Sequence, residues 1–158
     1  MNMTKKMRIA LVAHDNMKRD LAEWVNWNWE KLLQHHLICT GTTGKMVAGT
    51  LLEKRNNNHG SFDITMLKSG PLGGDQQLGS LIAEGEISAV IFFWDPMQPQ
   101  PHDVDVKALL RLATLYNVPT AINRSSADMI ISSPLFNTDY SPQVKDYQDY
   151  VNRALDNR

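Results

Sequence analysis

The sequence is short of the features that mark exported, membrane-bound and nucleic-acid-binding proteins. Its 158 residues include one cysteine, Cys39, which excludes an internal disulfide and a multi-cysteine metal site. The 16 Lys and Arg nearly balance the 17 Asp and Glu, so a net charge of −1 gives no broad field that would attract nucleic acid or a membrane. No apolar run approaches the ~20 residues of a membrane-spanning helix, or the length of a signal-peptide core. We therefore expect a cytoplasmic globular protein whose function lies in a local site.

Short apolar runs alternate with segments of helical periodicity along the chain. Five runs, at residues 9–13, 36–40, 64–68, 89–93 and 120–122, are typical of strands buried on both faces. Apolar spacing predicts helices at 45–53, 75–84 and 103–117, one long helix over 21–33 and an amphipathic helix near the C-terminus. The pattern predicts a single α/β domain over residues 1–158, with a five-stranded, mainly parallel sheet and a flexible stretch at 1–7.

The segment after the second run has the composition of a phosphate-binding loop. Parallel sheets bind ligands beyond the carboxyl ends of their strands, so the loops after the runs are where chemistry is expected. Thr40, Gly41, Thr42 and Thr43 bring hydroxyls and free N–H groups to a helix N-terminus. A Walker loop for nucleotides would need Gly at position 39 and Ser or Thr at position 46, and neither is present. A plain Thr-capped helix start is the alternative.

The segment after the third run combines glycines, a proline and a carboxylate. Between Ser69 and Asp75 stand Gly70, Gly73 and Gly74, directly before a predicted helix. A helix cap would require only the aspartate. The three glycines are explained if a substrate lies against the backbone and Asp75 points into it. The pattern favours a catalytic carboxylate, with a helix cap as the alternative.

The loops after the first and fourth runs contribute histidines with aspartates close by. These residues are His14, Asp15 and Lys18 after the first run, and Asp95, His102 and Asp105 after the fourth. A lone histidine at such a place is more often structural, but a neighbouring carboxylate can orient it for function. No HExxH motif or compact His/Asp spacing supports a metal site, so we expect none.

Taken together, these loops resemble the methylglyoxal synthase family over about residues 9–150. The matching segments are IALVAHD at 9–15 with Lys18, TGTTG at 40–44, SGPLGGDQQ at 69–77, FFWDP at 92–96 and PHDVDVKALLRLA at 101–113. The resemblance implies a lyase that converts dihydroxyacetone phosphate to methylglyoxal and inorganic phosphate without a metal or organic cofactor. It also implies a homohexamer of three-layer, flavodoxin-like (Rossmann-like) subunits. Inorganic phosphate, as a product, is expected to inhibit.

The same resemblance implies a role for each residue of the loops. Asp75, His102, Asp95 and Asp105 match catalytic positions, and Asp15 matches a supporting carboxylate. The substrate- and phosphate-binding positions are His14, Lys18, Thr40, Gly41, Thr42, Thr43, Ser69, Gly70 and again His102.

The chain departs from the family pattern in two places. An Asn-rich stretch near residues 55–63 resembles an insertion that leaves the loops intact. Near the C-terminus, Arg153 is shifted in register from the family's arginine that reaches a phosphate across a subunit boundary. We therefore leave Arg153 out of the predicted site.

Two other functions fit the same kind of fold. A regulatory domain would bind a phosphorylated ligand without catalysis, but it would gain nothing from Asp75, since a carboxylate repels an anion beside it. A nucleotide-binding signalling protein would need the Walker motif that is missing here. The carboxylate therefore favours the enzyme. Trp27 lies opposite the apolar stripe of its predicted helix, which together with the resemblance indicates a subunit interface.

Overall fold

A five-stranded parallel sheet forms the centre of the molecule. The computed structural model describes residues 6–55 and 62–156. Its strands are β1 Arg8–Ala13, β2 His36–Thr40, β3 Asp63–Leu67, β4 Ala89–Phe93 and β5 Thr120–Ala121. They lie in the order β3-β2-β1-β4-β5, and every neighbouring pair is parallel. All five predicted strands are confirmed, to within one residue at each end.

Helices cover both faces of the sheet. They are α1 Lys18–Trp27, α2 Trp29–Leu32, α3 Gly41–Arg55, α4 Gly74–Ala83, α5 Asp103–Leu115, α6 Arg124–Ser132 and α7 Gln148–Asp156. The first three helices and α6 pack on one face, and α4 and α5 pack on the other. This confirms the expected three-layer, flavodoxin-like α/β fold.

The two-residue period of β1 divides the core between the two faces. Ile9, Leu11 and Ala13 belong to the buried cluster under α1 and α3, whereas Ala10 and Val12 belong to the cluster under α4 and α5. None of the five is more than 9% exposed. Because both faces are covered, the strand is a continuous apolar run in sequence and shows no alternation with polar residues.

Asn28 divides the helix predicted over residues 21–33 into α1 and α2, so the prediction of one helix was wrong. Its main-chain N–H and its side-chain Nδ2 both donate to the Trp24 carbonyl, at 3.0 and 2.9 Å. At Asn28 a ψ of 17° takes the backbone out of the helical region. The asparagine side chain competes for a helical acceptor in this way because it is short and polar. Leu21, Val25 and Leu32 are nevertheless all buried, as the stripe predicts.

Two further helices differ from the prediction. Helix α3 begins at Gly41, four residues before its predicted start, so the Thr-Gly segment is a helical turn and not a loop. Helix α6 was not predicted, although its cap is visible in the sequence. The Asn123 side chain accepts a hydrogen bond from the Ser126 N–H at 2.9 Å, which satisfies a first-turn donor.

Predictions for two segments fall partly outside the described residues. Residues 1–5 of the predicted flexible N-terminus and residues 56–61 of the Asn-rich stretch are not described. Lys6 and Met7, which are described, both make contacts. The Lys6 Nζ donates to Asp63 at 2.8 Å, and the Met7 N–H donates to His35 Nδ1 at 3.0 Å. Across the two described ranges, no helix combines the length and apolar character needed to cross a membrane.

The strand order indicates where a ligand is expected to bind, at the carboxyl ends of the strands near β1 and β4. Chain order runs outwards from β1 to β3 on one side and from β4 to β5 on the other, so the direction reverses between β1 and β4. The last residues of these two strands, Ala13 and Phe93, are paired, and Thr40 pairs with Leu67 at the ends of β2 and β3. The loops after these strands therefore open from a common edge, at the switch point where such sheets bind ligands.

His35 is a buried histidine at the opposite edge of the sheet. It is 1% exposed, its Nδ1 accepts the Met7 N–H, and its ring meets Phe136 edge-on with centroids 5.4 Å apart. Burial lowers the pKa of His35 below its usual 6.5. Protonation is therefore easier in the unfolded chain, so the stability that His35 contributes is present above about pH 6.5 and is lost as the pH falls below it.

We expect the free energy of unfolding to fall between pH 7 and pH 5.5. A histidine of this kind can contribute at most about 1.4 kcal/mol per pH unit, and His14, described below, acts in the same direction. The variant His35→Gln keeps an acceptor for the Met7 N–H but cannot titrate, so it should lose less stability over this interval. Urea unfolding at fixed protein concentration measures both losses. If the variant and the parent lose equal stability over this interval, His35 is not a cause of the pH dependence.

Candidate active site

A cavity of about 300 Å³ opens at the carboxyl ends of the strands, and we call it the carboxyl-edge cavity. Its lining residues are Val12, Ala13, His14, Asp15, Lys18, Thr40, Gly41, Thr42, Thr43, Ser69, Gly70, Pro71, Asp75, Phe92, Gln100 and His102. The structure thus brings together all of the predicted site residues except Asp95 and Asp105. The segments after β1, β2, β3 and β4 contribute to the cavity, because these four neighbouring strands all have their carboxyl ends at this edge.

The first turn of α3 forms one wall of the cavity. Gly41 has φ +47°, and a Cβ on it would lie 2.7 Å from Ser69 Cα, so this helix start packs backbone to backbone against the segment after β3. The Gly41 N–H donates to the Lys68 carbonyl at 3.2 Å. The N–H groups of Thr42 and Thr43 follow in the same turn, where an α-helix provides no acceptor. They are therefore available to an anion, which the helix dipole also favours.

Lys18 adds a positive charge to this wall. Its Nζ donates to Asp15 Oδ1 at 2.7 Å and also bonds the Thr42 hydroxyl, so it joins the loop after β1 to the start of α3. The hydrogen bond and charge of Lys18 hold the pKa of the exposed Asp15 carboxyl below its usual range. One ammonium, hydroxyls and a helix N-terminus are together chemically able to hold a phosphate group.

Asp75 and His102 form the opposite, buried part of the cavity. Asp75 is 3% exposed and its Oδ2 lies 3.6 Å from His102 Nε2. Burial raises the pKa of the Asp75 carboxyl, the charge of Asp105 raises it further and the charge of His102 opposes the shift. Neither Asp75 Oδ2 nor His102 Nδ1 has a hydrogen-bond partner among the described residues. A carboxylate in this state is a stronger base than one in water.

Gly70 leaves the approach to this pair open. A Cβ at Gly70 would lie 2.9 Å from His102 Nε2 and 3.2 Å from Asp75 Oδ2. Any side chain at this position would therefore fill the space between the backbone and the two functional groups. The expectation that a substrate lies against the backbone remains a prediction at Gly70. The other two glycines are explained by the turn itself, since Gly73 has φ +106° and a Cβ on Gly74 would overlap the Lys68 carbonyl oxygen.

His14 is held in a single protonation form by the loop after β4. Its Nδ1 accepts the main-chain N–H of Asp95 at 3.0 Å, so the ring proton lies on Nε2. That Nε2 is buried without a partner among the described residues, and the ring meets that of His102 edge-on, with centroids 5.7 Å apart. Burial lowers the pKa of His14, and the nearby His102 lowers it further. His14 is therefore a neutral donor at the cavity.

Asp95 and Asp105 lie outside the cavity. The Asp95 carboxylate accepts hydrogen bonds from the Met97 N–H at 2.9 Å and from Asn16 Nδ2 at 2.9 Å, and these bonds lower its pKa. The hydrogen bond that the structure records from Asp95 to His14 comes from the Asp95 main chain. Asp105, in the first turn of α5, acts on Asp75 through its charge.

Sequence reasoning missed several lining residues. Val12, Ala13 and Phe92 belong to the strands, and their position at the cavity depends on register, which a single strand does not reveal. Gln100 is different, because a polar residue between Pro99 and Pro101 and two residues before His102 could have been noticed. Cys39, in contrast, is buried as expected, and burial raises the pKa of its thiol to about 12.

The amino-terminal edge of the sheet has a larger cavity of about 410 Å³, bordered by Met7, Ser88 and Pro119. It contains no Asp, Glu, His, Lys or Arg among its lining residues, so it offers no acid-base group near neutral pH. No cluster of three or more His, Cys, Asp or Glu side chains capable of holding a metal ion occurs in the part of the chain that the structure describes. The carboxyl-edge cavity is therefore the candidate active site.

Comparison with known proteins agrees with this choice. A family model described as an MGS-like domain matches residues 21–122. The methylglyoxal synthase of Maridesulfovibrio salexigens is 52% identical over 157 residues, which cover 97% of this chain and 100% of that protein. The methylglyoxal synthase of Oleidesulfovibrio alaskensis is 53% identical over 151 residues, with 96% and 97% covered.

A solved structure gives the same result. The crystal structure of methylglyoxal synthase from Elizabethkingia anophelis superposes with a TM-score of 0.82 at 49% identity, covering 94% of this chain and 91% of the other. The similarity spans nearly the full length of each relative and includes every loop of the carboxyl-edge cavity. The chain therefore belongs to the methylglyoxal synthase family and is a lyase.

Proposed function

We propose that the carboxyl-edge cavity converts dihydroxyacetone phosphate to methylglyoxal and inorganic phosphate, with Asp75 as the general base. The observation that supports this most directly is the buried Asp75 carboxylate, 3.6 Å from His102, in the same cavity as Lys18 and the first turn of α3. One part of the cavity can take a proton, and the other can hold a phosphate.

The first step is removal of a proton from the carbon that bears the hydroxyl group. Asp75 takes this proton, and the electron pair of the C–H bond moves toward the carbonyl oxygen to form an enediolate. The Nε2–H of neutral His14 and the ring of His102 both line the cavity and stabilise the developing oxyanion. A carboxylate base paired with a neutral histidine also serves triosephosphate isomerase, which is the standard example of this chemistry.

The second step is loss of the phosphate. The hydroxyl of the enediolate gives up its proton and its oxygen becomes the aldehyde carbonyl, so the double bond moves to the carbon that bears the phosphate. The carbon–oxygen bond to phosphate breaks as it does so, and its electron pair leaves with the phosphate. The enolate that remains takes up a proton on that same carbon and becomes methylglyoxal. This requires the breaking bond to stand roughly perpendicular to the enediolate plane. Lys18, Ser69 and the N–H groups of Thr42 and Thr43 hold the phosphate in that orientation and bind the charge that it gains. Neither step is a redox step, so the proposal includes no cofactor.

The alternative is a regulatory domain that binds a phosphorylated ligand without turnover. The burial of Asp75 distinguishes the enzyme from the regulatory domain. A pure phosphate site gains nothing from burying a carboxylate whose Oδ2 has no partner among the described residues, because desolvation of that group lowers stability. A general base requires this state.

Changing Asp75 to Asn tests the base. Asp75→Asn keeps the shape of the side chain but removes the basic lone pair, so turnover should fall by at least about 10³-fold, within the usual contribution of a positioned base. A coupled assay of methylglyoxal and free phosphate measures it. Asp20→Asn, which changes a first-turn carboxylate of α1 outside the cavity, is the matched control and should keep parental turnover.

The same variant separates the two explanations of Asp75. Thermal unfolding and phosphate binding of Asp75→Asn should stay close to those of the parent, because the fold and the phosphate wall are intact. Retention of most activity would make Asp75 a structural residue. A loss of activity that follows unfolding of the variant would have the same meaning.

Inorganic phosphate should inhibit competitively, because it is a product that fits the wall formed by Lys18 and α3. Lys18→Ala should weaken this inhibition by roughly 10- to 100-fold, the usual effect of losing a hydrogen bond to a charged group. Lys45→Ala removes an exposed lysine of α3 that does not line the cavity, and it should leave the inhibition constant unchanged. Kinetics that do not respond to millimolar phosphate would refute the phosphate site.

We also propose that residues 1–158 act as one domain in a cytoplasmic homohexamer. Trp27 on α1 and Tyr150 on α7 are 83% and 70% exposed, and Val151 and Leu155 extend the apolar face of α7. Large apolar side chains exposed in this way mark surfaces that associate. The unpaired Cys39 and a phosphorylated substrate fit the cytoplasm.

Light scattering at micromolar concentration should therefore give a particle of six chains, each of 17.9 kDa. Trp27→Ser, which removes the most exposed of these aromatic side chains, should shift the distribution toward smaller particles, because less apolar surface is buried on association. A parental protein that stays monomeric under these conditions would refute the hexamer.

A further inference from the structure

The geometry points to Asn16 as a positioning residue for the proposed reaction: through Asp95, its side chain holds His14 as a donor directed at the carboxyl-edge cavity. The inference rests on the proposed function. Asn16 itself does not line the cavity, so it acts through other residues.

The first link joins two loops across the switch point of the sheet. Asn16 lies in the short 3-10 turn Asp15–Met17 after β1, and its Nδ2 donates to Asp95 Oδ2 at 2.9 Å. Asp95 follows β4, the strand that pairs with β1 on the side where the chain order reverses. This hydrogen bond therefore fixes the turn after one strand against the turn after its neighbour.

The second link is the turn around Asp95. The other carboxylate oxygen, Oδ1, accepts the N–H groups of Met97 and Gln98 at 2.9 and 3.3 Å. Both oxygens are thus occupied, one by the chain that follows and one by Asn16. Without Asn16 the carboxylate would keep its contacts within the turn but would lose its hydrogen bond to the loop after β1. The bond from the Asp95 N–H to His14 Nδ1 would then be the remaining side-chain hydrogen bond that the structure records between this turn and that loop.

The third link sets the protonation form of His14. With the turn in place, the Asp95 main-chain N–H points at His14 Nδ1 from 3.0 Å, in a buried position. An imidazolium would put a second N–H against this donor, so the bond selects the neutral ring with its proton on Nε2. The Nε2 atom has no partner among the described residues, and His14 lines the cavity. A displaced turn would release Nδ1 and leave the ring free to rotate or to gain a proton.

Several charged groups act on the same ring. His102 disfavours the charged form of His14, whereas Asp103, Asp95 and Asp15 favour it, and burial opposes it most strongly. Loss of the bond at Nδ1 removes one of the constraints that keep the ring neutral. The acidic limb of the pH profile of kcat/KM should therefore move to higher pH when Asn16 is removed, because more enzyme then carries a protonated His14 at a given pH.

The test is Asn16→Ala, with Asn26→Ala as the matched control and Asn16→Gln as the conservative variant. Asn26 is an exposed asparagine on α1 that is not part of the cavity. We expect Asn16→Ala to lower kcat roughly 10-fold, since misplacing a group by an ångström costs up to about 100-fold. KM and the phosphate inhibition constant should change less than twofold, and the acidic limb should shift upward. Asn16→Gln, which retains an amide donor, should recover part of kcat, and Asn26→Ala should match the parent.

The outcomes distinguish this inference from the function on which it rests. If the parent protein forms no methylglyoxal, the proposed function fails and not only the role of Asn16. If the parent is active and Asn16→Ala keeps its kcat and its pH profile, the inference is overturned. It is also overturned if Asn16→Ala loses only thermal stability, because a purely structural residue would move the unfolding temperature and leave the acidic limb in place.

Discussion

The parallel pairing of β1 with β2 on one side and with β4 on the other is the constraint on which the rest of the structure depends. Leu11 pairs with Cys39 and Ala13 with Phe93, so the central strand and its neighbours end at nearly the same level. Each loop at this edge then contributes one kind of group: His14 and Lys18 after β1, the Thr-Gly turn after β2, Asp75 after β3 and His102 after β4. A slip of one residue in any pair would turn that strand's side chains to the other face and move its loop.

Strands and helices can be predicted from the sequence where a single physical cause, such as burial on both faces, determines them. The buried strands were recognisable because both faces of the sheet are covered, so each strand is continuously apolar. Helix boundaries were less predictable, because Asn28 ends α1 through a hydrogen bond to Trp24, and Gly41 begins α3 because its backbone can pack on Ser69. Both depend on contacts that composition does not contain. Asn123, in contrast, is an ordinary cap whose signal was present in the sequence and was not used.

The residue types of the site could be predicted, but their arrangement could not. Glycines, threonines and an aspartate after strands indicate a phosphate and a base before any distance is known. The sequence does not show that Asp95 presents its main chain to His14 while its carboxylate faces Asn16, because this depends on how two turns meet across paired strands. An aspartate beside a histidine in space is easily taken for a catalytic partner. Here the only hydrogen bond that the structure gives between the two residues comes from the main chain.

Buried polar atoms without a partner surround the carboxyl-edge cavity, and among the described residues three others occur elsewhere, on Arg8, His35 and Asn137. Among the described residues, His14 Nε2, Asp75 Oδ2 and His102 Nδ1 are all buried without a hydrogen bond. Each such atom costs about 1–3 kcal/mol of stability, and a folded protein rarely tolerates several in one place. A substrate with a carbonyl and a hydroxyl can supply partners for such atoms, so part of this cost is recovered on binding. The cavity is therefore least satisfied when empty. In the proposed reaction the enediolate, which has more negative charge on oxygen than the substrate, would gain most from the donors placed there.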